Sequence, residues 1–270
     1  DAYGIPQAQE APRTDEEELL LSRHAFMHTV WDEDTKKSRH CVGWSPGNAP
    51  GFATLLWYDY LASQDETVKK RVLEIAESTI RESGVGGLIS PALCHILKWE
   101  FPFYLGHVEA GLEKLKTMMR GLIDAQESDG SWRFHPTTDR TQTLGKEGDA
   151  VLGTCAHSTL MLLKHARITG DTETLEAGLK GLKFMEQFNV PRGAQAWECP
   201  LYEPDILAAA YAVGAYVEAH TITNDRHYLE RAEYWAETGL PFLYHWNLPD
   251  RPGMRFGSIP VFGTTFYTHS

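Results

Sequence analysis

RGAQAWECPLYEPDILAAAYAVGAY, residues 192–216, joins two dissimilar halves. The first is a loop carrying a Trp, a Cys, a Tyr and three carboxylates; the second, from Ile206 to Val217, has no charged side chain. A helix packed on one side keeps a polar face for water, so a helix without one expects cover on nearly all sides.

The same grammar recurs. APGFATLLWYDYLA from Ala49, AVLGTCAHSTLMLL from Ala150 and DILAAAYAVGAYVEA from Asp205 are apolar almost all round and rich in Ala, Gly and Thr, which lets neighbouring backbones approach. Each is followed by a short turn with an Asp and then an amphipathic segment. Apolar residues fall at helical spacing at Val68, Val72, Ile75 and Thr79 or Ile80; at Leu175, Leu179, Leu182 and Met185; and at Leu229, Ala232, Ala236 and Leu240. A fourth pair is expected from ISPALCHILKWEFPFYLG and HVEAGLEKLKTMMRGLIDAQ, and EEELLLSRHAFMHTVW reads as an outer helix without a partner. The apolar helices begin near residues 50, 90, 149 and 204, a repeat of roughly 40 to 60 residues, which is the length of one helical hairpin with its loops.

Alternating apolar and amphipathic helices, with short inner-to-outer turns and long outer-to-inner loops, predict an all-α fold: an α/α toroid of hairpins in two concentric layers. Every inner helix then points the same way, and the long loops before the inner helices gather at one end. About four and a half hairpins are legible, so the toroid is expected to be incomplete: either it is open, or the chain is a fragment whose further hairpins come from a longer parent chain or a second copy, the fragment being favoured. Residues 1–14 are expected to be a flexible segment and 15–270 a single domain, possible truncation at the C-terminal side included.

Three features resemble the six-hairpin toroid superfamily of glycoside hydrolases and polysaccharide lyases, and more distantly the terpene cyclases. Two are the turns Thr169-Gly170-Asp171 and Thr223-Asn224-Asp225. The third is LIDAQESDGSW, Leu122–Trp132, similar to the cyclase repeat in which a Gln ending an outer helix and a Trp after a Gly turn tie neighbouring hairpins together; Gln126, Gly130 and Trp132 match it. The resemblance covers most of the chain but is structural, so it implies the fold more sharply than the chemistry. Neither DxDD nor DDxxD occurs, which argues against cyclisation.

Composition narrows the function classes. The 270 residues carry a formal net charge of −12, and no run of Lys and Arg exceeds three, so a phosphate backbone is repelled and nucleic acid is not an expected partner. No apolar run approaches the ~20 residues of a spanning helix, so no membrane partner is expected. The chain is expected to be soluble, and a secreted protein whose signal peptide has been removed fits equally. Cys41, Cys94, Cys155 and Cys199 never form CxxC, and His24 and His28, one helical turn apart, lack an HExxH context, so neither a metal nor another cofactor is expected.

The three mouth loops, 41–51, 141–153 and 192–205, carry the candidate chemistry. Aromatic rings with carboxylates and an amide suit a sugar: CH faces stack on rings, and hydroxyls need donors and acceptors. The expected partner is a carbohydrate, and the expected reaction glycosidic hydrolysis by paired carboxyl groups ~5 to 9 Å apart. Glu198, between Trp197 and Cys199, is the expected acid, because apolar neighbours raise a carboxyl pKa, with Asp149 or Asp205 as the base. Both Asp residues also suit capping of a helix N-terminus. Trp44, Asn48, His157, Trp197 and Tyr202 are the candidate substrate-binding residues. His157 is either cavity-facing or a hydrogen-bonded core histidine, and the two Trp residues are packing or stacking groups. Glu203 before Pro204 reads as helix punctuation. Tyr202, His157 and Arg192 would equally serve a lyase, which needs a base and a group to neutralise a uronate carboxylate. A glycan-binding or scaffold domain without catalysis is the reading from a different class.

Overall fold

A computed structural model describes residues 13–39, 45–90, 99–197 and 199–242. Trp44, Glu198, Cys41, Cys94, the segment 91–98 and the ends of the chain lie outside them. In order come α1 (Asp15–His24), a π-helical turn, β1 (Trp31–Asp32), β2 (Lys37–Ser38), α2 (Pro50–Ser63), α3 (Glu66–Ser83), α4 (Phe101–Tyr104) and α5 (Val108–Asp124). They are followed by α6 (Asp139–Gln142), α7 (Leu152–Thr169), α8 (Thr172–Met185), α9 (Ile206–Thr223) and α10 (Arg226–Gly239). β1 and β2 form one small antiparallel hairpin, and the remainder of the regular structure among the described residues is helical. The chain divides into two compact units, Pro12–Thr117 and the residues from Met118 onward, with the division falling inside α5.

Three hairpins, α2/α3, α7/α8 and α9/α10, close through one turn design. The last residue of the first helix is Ser63, Thr169 or Thr223; the next has left-handed backbone; the third is an Asp that caps the second helix. At Gly170 (φ 74°) and Asn224 (φ 56°) the left-handed position is filled by the two residue types that tolerate it best. Gln64 (φ 56°) is the exception, and its side chain turns back to donate to the carbonyls of Tyr60 and Leu61, sealing the end of α2. Each hydroxyl accepts the Asp N–H, and the Asp side chain accepts from Thr67 N, Thr174 N or His227 N. Free N–H groups at a helix start are thereby satisfied three times over by the same residue pattern.

In the first unit Val68, Val72, Ile75 and Thr79 of α3 are buried as their spacing predicts, together with Ala53 and Leu56 of α2 and Met27, Trp31, Leu88 and Phe101. Arg71 lies over the Trp31 ring at 4.3 Å and donates to Glu33 at 2.5 Å. Arg23 of α1 binds Asp59 of α2 through both carboxylate oxygens, so α1 is tied to this hairpin.

In the second unit α7 packs against both α8 and α9, and α9 against α10. Leu182 and Met185 are buried as expected, but Leu175 and Leu179 are only half-buried, whereas Thr174, Ala177, Gly178 and Gly181 are buried. The seam of α8 is made of small residues: a Cβ at Gly178 would sit 2.7 Å from Leu163, and one at Gly181 would sit 2.4 Å from Thr159 Oγ1 and 3.0 Å from the Trp132 ring. The phase expected for α10 holds at Ala232 and is off by about one position elsewhere. Leu229, Ala236 and Leu240 are exposed, while Ala232 and Trp235 are buried. Trp235 is the bulkiest side chain of the helix and takes the core position, turning the smaller Leu and Ala residues outward.

Gln126 and Trp132 do tie hairpins together. Gln126 donates to Gly130 O at 3.1 Å and to Ala177 O of α8 at 2.9 Å, and Trp132 Nε1 donates to Leu122 O of α5 at 2.9 Å. Gly130 (φ 95°) passes so near Lys180 that a Cβ would lie 2.5 Å from its carbonyl oxygen. Glu186, just past α8, accepts from Tyr216 of α9 at 3.0 Å and pairs with Arg231 of α10 at 3.1 Å, a second clasp across three helices.

α7 and α9 run in the same direction. The His157 ring meets the Tyr211 ring, and three residues further along both helices Leu160 meets Gly214, so the offset between partners is constant. Their N-termini therefore share one end, as expected for inner helices. α9 is not covered all round, however: Ala210 and Val217 are exposed among the described residues.

Candidate functional site at the loops before α7 and α9

The loops ahead of α7 and α9 are zipped to each other. Leu201 N donates to Leu144 O at 2.7 Å, and Gly153 N donates to Arg192 O at 2.8 Å. Under them Phe134, Leu144 and Leu201 form a small apolar cluster with Val151 and Ala196 packed on it. Gly153 is required there, because a Cβ would fall 2.1 Å from Ala194 N. The loops gather because their helices are parallel, and stay gathered because this second core lies beneath them.

On that platform Asp149 and Tyr202 meet. The Tyr202 hydroxyl donates to Asp149 Oδ2 at 2.7 Å and accepts Lys146 N–H at 3.1 Å. Asp149 is half-buried and Tyr202 is 43% exposed, so the pair is open to solvent. Hydrogen bonding to Asp149 raises the Tyr202 pKa above the ordinary phenol value, the Lys146 N–H acting in the opposite direction. Asp149 is not the cap of α7; that position is Val151, and Thr154 Oγ1 accepts its N–H at 3.2 Å.

Asp205 has a different setting. It is 1% exposed and caps α9: Oδ1 accepts Ala208 N at 2.7 Å and Oδ2 accepts Ala194 N at 2.8 Å, so one carboxylate fixes both the helix start and the loop turn. Burial raises its pKa above the usual carboxylate range, against the backbone N–H groups of Ala208, Ala194, Gln195 and Gly193. Glu203 and Pro204 precede this cap rather than forming the first turn, and Pro204 bridges to Arg192 instead.

Trp197, 45% exposed, is on the same loop as Tyr202. His157, half-buried on α7, has its ring centroid 4.7 Å from that of Tyr211 on α9. Desolvation lowers the His157 pKa and raises that of Tyr211. Asn48 belongs to the first unit, where its amide donates to Glu82 at 2.8 Å. Trp44 and Glu198 are outside the described residues, and with them one of the two expected carboxyl groups. Cys155 and Cys199 are buried thiols, and His24 and His28 form an exposed ring pair at 5.0 Å. Among the described residues no three His, Cys, Asp or Glu side chains converge as a metal site, and no helix is long and apolar enough to cross a membrane.

Sequence reasoning missed Tyr211. The signal was present: His157 and Tyr211 are each the sixth residue of their helix, so equal positions in two parallel repeats predict that they adjoin.

No family model and no curated protein matches this chain. Solved structures do. An unsaturated glucuronyl hydrolase from Bacillus sp. GL1, responsible for the degradation of glycosaminoglycan, is 13% identical with a TM-score of 0.56, covering 84% of this chain and 68% of that one. The α-1,6-mannanase of Salegentibacter sp. HEL1_6 is 12% identical with a TM-score of 0.53, over 83% of this chain and 70% of that one. A protein from Listeria innocua is 12% identical with a TM-score of 0.55, over 84% and 71%. The fold is therefore that of the α/α toroid enzymes, as the hairpin grammar predicts.

Proposed function

We propose that this chain acts on carbohydrate as a glycoside hydrolase, at the platform formed by the loops before α7 and α9. The observation that carries the reading is the Asp149–Tyr202 pair: an accessible carboxylate, held in place by a phenol from a second loop, on a rigid base. The fold supports it by likeness to a glucuronyl hydrolase and to an α-1,6-mannanase.

Glycosidic hydrolysis needs one group to protonate the leaving oxygen and one to activate water or attack the anomeric carbon. Asp149 suits the second role. The phenol donates to Oδ2, which leaves Oδ1 to accept a water proton or bond to carbon. Asp205 does not suit it, because both of its oxygens are committed to backbone N–H groups that hold the loop. Glu198 is assigned the acid from its apolar sequence neighbours alone. Trp197, exposed on the same loop, is assigned to stacking on a sugar face.

The lyase reading fits less well. It would use Tyr202 as the base, yet the bond to Asp149 raises the Tyr202 pKa and holds the phenol proton in place. A screen of neutral and uronate-containing polysaccharides, following reducing ends and ultraviolet absorbance together, separates the possibilities. Hydrolysis produces reducing ends without the absorbance of a new unsaturated uronate, whereas elimination produces both. Binding without either signal would replace the enzyme by a glycan-binding domain.

A further inference from the structure

Below the mouth loops, α7 and α9 present two aromatic side chains with polar tips at equal depth. His157 and Tyr211 are both half-buried, and their rings meet at 53°. Packing accounts for the contact but not for the polar atoms. Neither imidazole nitrogen nor the phenol oxygen has a hydrogen-bond partner among the described residues, unlike His165 further along α7, whose Nδ1 lies 3.2 Å from Thr174 Oγ1. A core requirement would have been met by Phe or Leu without the cost of desolvating polar groups. Other positions on these helices show that option taken, since Leu160 meets Gly214 three residues on.

The chemistry of the two tips specifies what they suit. Burial disfavours the charged form of each ring, so both are neutral near pH 7. A neutral imidazole offers one donor and one acceptor, and a neutral phenol can do both. Hydroxyl groups, themselves donors and acceptors, match that set, and the apolar ring faces match the CH faces of a pyranose. A carboxylate or phosphate would instead call for Arg or Lys.

We infer that the His157–Tyr211 pair is a binding subsite for a neutral pyranose ring, with Tyr211 as a stacking and hydrogen-bonding group. This rests on the glycan reading above, and adds that the sugar unit seated here is uncharged even if another unit of the substrate is a uronate.

The test reads binding rather than turnover. The ring-proton NMR signal of His157, assigned with His157→Gln, is followed in the full chain during titration with methyl α-mannoside, methyl α-glucoside, methyl β-galactoside and methyl glucuronide. At least one neutral glycoside is expected to shift the signal saturably while the glucuronide does not. Tyr211→Phe is expected to weaken that binding roughly five- to tenfold, the size of one lost hydrogen bond, and Tyr211→Ala to abolish it. The subsite is overturned if no neutral glycoside shifts His157, if the glucuronide binds as well, or if Tyr211→Ala leaves the titration unchanged. The hydrolase reading fails separately: a His157 shift with no glycan cleaved keeps the subsite and removes the reaction, whereas cleavage with an unresponsive His157 does the reverse.

Discussion

Asp171, Asp65 and Asp225 show how far single residues carry this fold. Each accepts backbone N–H groups at the start of an outer helix, and losing such a cap costs about 1 kcal/mol. Asp171→Ala is accordingly expected to lower unfolding free energy by about 1 kcal/mol in a denaturant titration; no change would mean that water serves the α8 terminus equally well. His165 supplies a pH dependence. Desolvation lowers its pKa, only partly opposed by Asp171, so the unfolded chain takes up a proton first as pH falls below the ordinary value of about 6.5. Stability is then full above that pH and is lost as pH falls toward the folded pKa, since the unfolded state binds more protons there. Thermal melts between pH 7.5 and 5 should show a decline that is shallower in His165→Gln; parallel profiles would remove His165 as the cause. The capping residues were legible in the sequence because caps are local, whereas the burial of His165 depends on which helices meet over it.

At the scale of elements, the sequence showed hairpins clearly and faces less clearly. Apolar spacing in α3 marks the buried face correctly at Val68, Val72 and Ile75, because large aliphatic residues fill that core. In α8 the same rule is right at Leu182 and Met185, which are buried, but it also points to Leu175 and Leu179, where the close seam is instead Thr174, Gly178 and Gly181. Close approach of helices selects small residues, which a hydrophobicity pattern does not register. Gly181→Ala tests this: its methyl would meet Thr159 Oγ1 and the Trp132 ring, so the substitution should cost about 1–3 kcal/mol despite its better helix propensity. A gain in stability would show that α8 can slide outward freely. In α10 the pattern failed for a different reason, since Trp235 outweighs Leu229 and Leu240 for the core position and rotates the helix. The clasp of Gln126 and Trp132 was found because its motif has fixed chemistry at fixed spacing.

For the whole molecule, the repeat length and the alternation of apolar and amphipathic helices were enough to predict the α/α toroid class, and the structural neighbours have that fold. The candidate site was legible in part. Asp149 and Tyr202 were identified separately from loop composition, but their bond, across 53 residues of chain, depends on parallel α7 and α9 bringing two loops together. Asp205 looked equivalent to Asp149 in sequence; only burial and backbone partners separate the cap from the accessible carboxylate. The proposed reaction therefore stands on Asp149. The most direct measurement is glycan cleavage by the wild type, by Asp149→Asn and by Tyr202→Phe, with melting temperatures of all three. We expect a loss of at least about a thousandfold in kcat for Asp149→Asn and a smaller fall in kcat with KM little changed for Tyr202→Phe, all three remaining folded. Undiminished cleavage by a folded Asp149→Asn would contradict the account.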